Sequence, residues 1–166
     1  MGAMPKPQSA ICANPSRYAL FLTLSLRRGA PLGPLRRACA GLPALAAALA
    51  RETGDAGLVS AIAIGARAWP KLVGARPPAG LVPFKALRDG ARVAPATPAD
   101  MFLHIHSGRH DVNFALARRF LAAAGDAVRT VEEVHGFRNM DKRDLTGFVD
   151  GTENPKAKDR PRVALQ

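Results

Sequence analysis

Residues 147–155, GFVDGTENP, combine the residue types that acid–base chemistry beside a flat ligand requires. The carboxyl group of Asp150 lies between two glycines, Gly147 and Gly151. Glycine has no Cβ, so the backbone there can adopt positive φ and approach a ligand closely. A carboxylate held in such a loop could exchange a proton with that ligand. Asp-Gly and Asn-Pro are also common turn dipeptides, and on spacing alone a plain turn is the favoured interpretation.

Histidines offer a second candidate chemistry, metal binding. His104 and His106 are two residues apart on a predicted strand, so both side chains point to the same face. No third ligand lies at a recognisable spacing. His110 is placed about one turn into the next predicted helix, and His135 is the last residue of the following predicted strand. We therefore predict no metal site and interpret these histidines as side chains on a sheet surface.

The amino-acid composition limits the classes of protein to which this chain can belong. The chain has 166 residues, 48% of them hydrophobic, which suits one domain with a core of its own. Its net charge of +11 would suit a nucleic-acid binder. The cations, however, are scattered singly or in pairs, and one Trp and one Tyr give no aromatic set for stacking on bases. Nucleic acid is therefore disfavoured as a partner.

The N-terminal residues and the cysteines predict a compartment. Residues 1–16 are polar, with three prolines and no apolar core of the kind a signal peptide needs, so we interpret them as a leader whose residues 1–4 resemble a cloning remnant. The apolar stretch 18–26 is far shorter than the ~20 residues of a membrane span. Cys12 and Cys39 are too few for a disulfide framework. We predict a cytoplasmic protein without a membrane partner.

Hydrophobic periodicity predicts the elements that must position these residues. In chain order they are strand 18–26, a helical stretch opened by Gly33-Pro34, a second helical segment 44–53, strand 58–64, strand 102–106, helix 109–124 and strand 128–135. Pro43 is expected to break the first helix. Leu58–Ile64 is apolar on both sides, which indicates a covered central strand. Ser107 is expected to cap the last helix.

The apolar stripe of helix 109–124 can also be predicted from its spacing. It comprises Val112, Ala115, Leu116, Phe120 and Ala123, widened by Phe114 and Leu121.

The order β-α-β-β-α-β predicts an α+β, ferredoxin-like domain over residues 17–136, with a four-stranded antiparallel sheet and both helices on one face. Residues 65–101 hold six prolines and no sustained periodicity, so they form a long connection. The other face of the sheet needs a partner, and the chain supplies none. Self-association into a homo-oligomer through this uncovered face is the expected consequence.

Residues 147–155 also resemble the signature of the dye-decolourising (DyP-type) haem peroxidases, whose family pattern is G-x-x-D-G. The similarity extends upstream to Asp141, Arg143, Asp144 and Leu145. Residues 102–120, FLHIHSGRHDVNFALARRF, resemble the strand and helix that precede this signature. The predicted strand order agrees with the N-terminal half of the family fold, and the bacterial B-type branch is the most similar.

The resemblance implies an activity. Enzymes of this family use haem b to reduce H2O2 and oxidise an organic electron donor. Their signature aspartate lies on the distal side of the haem, which corresponds to Asp150. Its implied role is acid–base: it takes a proton from H2O2 and returns it to the departing oxygen. A neighbouring cation would hold this carboxyl group ionised.

The resemblance also implies cofactor-binding residues: Gly147, Phe148, Val149, Gly151, Thr152 and Glu153. The two glycines would let the loop lie against the macrocycle. Thr152 and Glu153 are candidates for the peroxide channel or a propionate, and Phe148 and Val149 for packing against the ring.

The family fold has two ferredoxin-like halves, and its proximal histidine and distal arginine belong to the second. No residue of this chain matches either one, so residues 137–166 are interpreted as the signature loop and the start of a linker to a second half. We expect the chain alone to be inactive and to bind haem weakly or not at all. The alternative interpretation is a non-catalytic ferredoxin-like module that self-associates.

Overall fold

The computed structural model describes residues 6–97, 99–149, 151–156 and 158–165. Four long strands and two long helices form its framework: β1 Tyr18–Leu26, α1 Gly33–Thr53, β2 Val59–Ile64, β5 Met101–Ser107, α3 His110–Ala124 and β6 Val128–Phe137. Shorter elements complete the chain order: α2 Trp69–Val73, β3 Leu87–Asp89, β4 Arg92–Ala94, a 3-10 turn Gly125–Ala127 and α4 Arg160–Ala164.

The four long strands form one antiparallel sheet in the order β2-β5-β1-β6. This arrangement confirms the predicted α+β ferredoxin-like fold. The expectation of a central β2 was wrong, because β2 lies at an edge of the sheet. β1 and β5 occupy the centre instead, since each pairs with a strand on both sides.

One face of the sheet, the helix face, carries the core. Leu20, Leu22 and Leu24 alternate along β1 and are fully buried together with Ile105 of β5. They pack in one cluster with the buried residues of α1 and α3. Fully burying such a side chain contributes roughly 1.5–3 kcal/mol, so this face holds most of the stability of the domain.

Helix α1 passes through Pro43 without a break, contrary to the prediction. Pro43 lies on the exposed side of the helix, while the buried stripe faces the sheet. The stripe consists of Leu35, Ala38, Leu42, Ala46 and Leu49. Proline removes one backbone hydrogen bond. Burial of the stripe on both sides of that position outweighs this loss.

Helix α3 buries a different stripe from the predicted one. Val112, Leu116 and Phe120 are buried as expected, but Ala123 is exposed and Phe114 is 43% exposed. Asn113, Ala117 and Ala124 are buried instead. The observed buried stripe is rotated around the helix relative to the predicted one. The reason is that α3 also packs against α1, which buries a second flank of α3. Ser107 does not cap the helix; its hydroxyl bonds the backbone N–H and carbonyl of Arg109.

The long connection between β2 and β5 holds the short helix α2 and the hairpin β3–β4. Leu72 of α2 joins the core. The hairpin is exposed at every residue, and Leu87 and Val93 are 62% and 42% exposed. Gly65 N–H donates to the carbonyl of Asp100 at 2.8 Å, so the two ends of the connection meet.

Residues 8–16, named here the leader strap, lie along β2. Gln8 Oε1 accepts from Ile62 N–H at 2.8 Å, and Gln8 Nε2 donates to the carbonyl of Ile62 at 2.8 Å. Ser9 Oγ accepts from Ser60 N–H at 3.0 Å. The strap thereby satisfies the backbone of an edge strand that would otherwise be open to pairing.

The face of the sheet opposite the helices, named here the second face, is partly covered. His106 and Ala61 are 7% and 8% exposed there, whereas Phe102 and Val134 are 40% and 45% exposed. The expectation that the chain supplies no cover was therefore wrong in part. No helix among the described residues is long and apolar enough to cross a membrane.

Candidate functional site

The segment before the signature folds into a compact loop. Asp144 N–H donates to the carbonyl of Phe148, and Gly147 N–H donates to the carbonyl of Asp144, both at 3.0 Å. The Asp144 carboxylate accepts from the Thr146 hydroxyl and, at 2.8 Å, from Thr146 N–H. These hydrogen bonds favour the ionised form and lower the pKa of Asp144. The loop is therefore shaped by its own polar groups.

Arg143 braces this loop. Its guanidinium donates to both carboxylate oxygens of Asp141, at 2.9 and 3.1 Å. A third bond, 2.9 Å long, reaches the carbonyl of Gly147. A planar guanidinium that holds two partners fixes their relative geometry. Arg143 therefore sets the position at which the chain enters the signature.

Both signature glycines adopt the left-handed region. Gly147 has φ +94° and Gly151 has φ +74°. A Cβ at Gly151 would lie 2.8 Å from Nδ2 of Asn154, so a larger residue is strained and crowded there. The glycines are thus required by the turn itself, and their role toward a ligand remains a prediction.

The other predicted site residues are distributed unequally. Asp150, the predicted acid–base residue, lies outside the described residues. Thr152 and Gly151 line a cleft, whereas Phe148 and Val149 are 73% and 44% exposed. Glu153 is exposed as well.

The cleft has a volume of about 1170 Å³ and opens on the second face. Its floor is formed by Ala19 and Phe21 of β1, and its rim by Gly136 and Phe137 at the end of β6. The leader strap forms one wall with Ile11 and residues 13–16. The segment from residue 138 to α4 forms the opposite wall.

Cations surround this apolar floor. They are Arg138, Lys142, Arg143, Lys156 and Arg160. Two of these arginines tie the walls together: Arg160 Nη1 donates to the carbonyl of Ala13 at 2.9 Å, and Arg138 Nη2 donates to the carbonyl of Pro15 at 2.9 Å. The cleft is therefore apolar at its base and positive at its edge, which suits a flat apolar ligand with anionic groups.

Sequence reasoning missed these cations and the strap. A signal was present, because residues 138–162 contain seven Lys and Arg. The contribution of the leader strap to the cleft could not be predicted from the sequence. Its hydrogen bonds to β2 and to Arg160 join residues more than 50 positions apart.

The histidines lie outside the cleft or at its rim. The rings of His104 and His106 lie side by side on the second face, tilted by 33° with centroids 4.9 Å apart, and Phe21 stacks on His104 at 4.6 Å. His135 lines the cleft, but its Nε2 is 2.7 Å from Oε1 of Glu133. Within the described part of the chain, no three His, Cys, Asp or Glu side chains are grouped as metal ligands.

These residues fit one side of a haem. A porphyrin is a flat apolar ring with two carboxylates at its edge, which matches the Phe21 floor and the surrounding cations. Lys142 and Lys156 form no side-chain hydrogen bond with another described residue, so their ammonium groups are available to carboxylates. Haem iron also needs an axial ligand, and the predicted absence of one in this chain stays a prediction.

Comparison with protein families identifies the relatives of this fold. Residues 8–138 match the family model described as Dyp-type peroxidase, N-terminal. Residues 141–165 match the model described as Dyp-type peroxidase, C-terminal. The first match covers the sheet, both long helices and the whole leader strap. The second covers the loop and wall that complete the cleft.

Individual proteins agree with these matches. The dye-decolorizing peroxidase of Brevibacterium linens is 41% identical over 157 residues, which are 91% of this chain and 41% of that protein. The structure of a Dyp-type peroxidase from Shewanella oneidensis superposes with a TM-score of 0.85 at 36% identity, covering 96% of this chain and 52% of that one. DyPB from Rhodococcus jostii RHA1 superposes with a TM-score of 0.82 at 36% identity, covering 89% of this chain and 48% of that one.

The chain thus spans about half the length of these relatives. Fold, family models and sequence identity agree along nearly its whole length. The chain belongs to the Dyp-type peroxidases.

Proposed function

We propose that this chain forms the half of a haem peroxidase that supplies the distal wall of the haem site. The observation that carries the proposal is the cleft, whose wall includes Gly151 and Thr152 directly after Asp150. A variant of the Rhodococcus jostii relative has been solved in complex with heme. Bound haem would supply the redox-active iron that exchanges electrons with H2O2 and an organic donor.

In this proposal Asp150 acts as the acid–base residue. It accepts a proton from one oxygen of H2O2 and delivers it to the departing oxygen, so that water leaves. The carboxyl group must be ionised at rest, and the cations around the cleft would favour that form. Gly147 and Gly151, with their positive φ, would present it, and Arg143 holds the first of them.

The remaining signature residues have proposed roles toward the cofactor. Gly151 and Thr152 would contact the ring edge or a propionate, because they line the cleft. Phe148 and Val149 would pack against the ring, which explains two exposed apolar side chains in a charged segment. Glu153 would lie near the peroxide channel.

We further propose that the chain alone binds haem weakly and is inactive, because the described residues form only one side of a site. An absorbance titration with haem tests this. We expect a shallow, unsaturated binding curve without the spectrum of an iron-bound imidazole. Tight, stoichiometric binding together with rapid H2O2 consumption would refute the proposal.

The role of Asp150 can be tested in a chimera that continues this chain with the C-terminal region of the Brevibacterium linens relative. Asp150→Asn should slow H2O2 consumption by about 10²–10⁴-fold while haem stays bound. The matched control is Asp89→Asn on the exposed β3–β4 hairpin, which should leave the rate unchanged. Loss of haem instead of rate would show that Asp150 is architectural.

A second candidate function is self-association through the second face. Phe102 and Val134, both about half-exposed there, favour it. Light scattering coupled to size exclusion tests this second candidate: a monomer that stays soluble at high concentration would exclude a homo-oligomer. The cytoplasmic location indicated by two cysteines stays a prediction.

A further inference from the structure

The imidazole of His106 joins the leader strap to the second face. Its Nδ1 lies 2.8 Å from Oγ of Ser16, at one end of the strap. Near the other end of the strap, Ala10 N–H donates to the carbonyl of Ser60 at 3.2 Å. His106 itself is 7% exposed. His106 therefore holds the end of the strap that carries Ser16.

The strap is also what buries His106. The residue lies on the second face, away from α1 and α3, between Ala19 of β1 and Val59 of β2 in the sheet register. Neither neighbour carries a charge. Opening the strap would expose the imidazole to water on that face.

Among the described residues, no carboxylate forms an ion pair with His106. His104 is the titratable side chain beside it, with ring centroids 4.9 Å apart. The charged groups bonded to the strap, Arg138 and Arg160, are cations. Arg17, next to Ser16, places its guanidinium over the ring of Tyr18 at 5.5 Å. An imidazolium would thus be both poorly hydrated and repelled.

We propose that protonation of His106 releases the leader strap from the second face and removes one wall of the cleft. The neutral ring accepts from the Ser16 hydroxyl, so the closed form is stable when His106 is uncharged. The proton comes from solvent, and only hydrogen bonds break: the one between His106 and Ser16 and those that hold the strap to β2.

The direction of the pH response follows from the same contacts. Burial, and secondly the charge of His104, lower the pKa of His106 below its ordinary value of 6.5, while the Ala10 backbone opposes them more weakly. The open form, in which the ring is hydrated, takes up the proton more readily. Closure is therefore complete above about pH 6.5 and is lost as the pH falls below it.

Two amides report on the strap directly. Ser60 N–H donates to Ser9 Oγ at 3.0 Å and Ile62 N–H donates to Gln8 Oε1 at 2.8 Å, so both become exchangeable when the strap opens. Successive amides of a strand point to opposite edges. The amides of Ala61 and Ala63 therefore face β5 and serve as internal controls for opening of the sheet.

Hydrogen exchange of the isolated chain, followed by NMR and corrected for intrinsic rates, tests the proposal. Between about pH 7.5 and about pH 5, protection at Ser60 and Ile62 should fall by up to about tenfold per pH unit for one proton taken up. Protection at Ala61 and Ala63 should fall less, because it follows only the stability of the sheet as a whole, to which His104 contributes. His106→Gln, which cannot become charged, should reduce the pH dependence at Ser60 and Ile62 to that of Ala61 and Ala63, whereas His110→Gln should retain the difference.

Ser16→Ala provides a second variant that leaves the imidazole in place. It should lower protection at Ser60 and Ile62 already at about pH 7.5. Wild-type protection at Ser60 and Ile62 that does not change with pH, or an excess fall at these two amides that persists in His106→Gln, would overturn the proposal. A parallel fall at Ala61 would do the same, because the whole sheet would then be opening. The readout uses no haem, so its failure is separate from failure of the proposed function.

Discussion

The two faces of the sheet are covered through different interactions: apolar packing on the helix face and hydrogen bonds on the second face. The helix face is closed by two helices of the same chain, and Leu20, Leu22 and Leu24 have no exposed area. The second face is covered in part by the leader strap and by the opposite wall of the cleft. Arg138 and Arg160 of that wall donate hydrogen bonds to the strap. Residues one position apart on β1 thus lie in a dry core on one side and in a solvent-accessible cleft on the other.

This difference separates stability from function within one sheet. Apolar burial is non-directional and grows with area, so the helix face tolerates no open space. Hydrogen bonds between a strap and an edge strand exchange easily with water and contribute little net stability. The second face can therefore open, bind a ligand or accept another polypeptide without loss of the fold.

The sharpest test of this contrast uses two neighbouring residues of β5. Leu103→Ala on the helix face should cost about 2–5 kcal/mol, because it leaves a cavity in a packed core. Phe102→Ala on the second face should cost less than about 1 kcal/mol, since that ring is 40% exposed and leaves no closed cavity. Urea unfolding measures both. Equal losses would mean that the two faces contribute alike.

Pro43→Ala tests whether packing alone holds α1 through its proline. Alanine restores the missing backbone donor on the exposed side of the helix, and we expect a gain of up to about 3 kcal/mol in the free energy of unfolding. Thermal unfolding would measure the gain. A neutral or destabilising result would show that the ring of Pro43 contributes a contact to the fold.

The pH dependence of stability should arise on the second face. Burial lowers the pKa of His104 below its ordinary 6.5, so the unfolded chain binds the proton more readily. Stability is then complete above about pH 6.5 and falls as the pH decreases below it, by up to about 1.4 kcal/mol per pH unit for one group. His104→Gln should flatten this slope in urea unfolding at several pH values. An unchanged slope would assign the effect to other groups.

Gly41→Ala should give the smallest effect. Gly41 lies within α1, and a Cβ there meets no atom within 4 Å. Alanine is favoured over glycine in a helix by about 0.8–1.0 kcal/mol, so a small stabilisation is expected in the same unfolding experiment. Destabilisation would indicate that the open side of α1 is occupied in solution.

The sequence was sufficient for the local elements. The alternation in 18–26 and the apolar stretch in 58–64 locate their strands to within a residue, because side-chain periodicity reports directly on burial. It was insufficient where a tertiary contact overrides a local rule. Pro43 is tolerated because its neighbours pack on the sheet, and Phe114 points to solvent because α1 draws the other flank of α3 inward.

The candidate site divides in the same way. The glycines at 147 and 151 and the turn that they form could be predicted from residue types, since positive φ is a local demand. The cleft could not be predicted, because its floor comes from β1, one wall from Ile11 and residues 13–16, and the other wall from described residues between 138 and 164.

The order of strands and helices, the family signature and the excess of positive charge were determined by the sequence alone, because periodicity, turn chemistry and composition act over a few residues at a time. Which strand lies at the edge, which cations meet around Phe21, and which segment covers His106 were decided by the tertiary structure. These features depend on contacts between residues as distant as Ala13 and Arg160. Such contacts form only when the core on the helix face has brought both ends of the chain to the same surface.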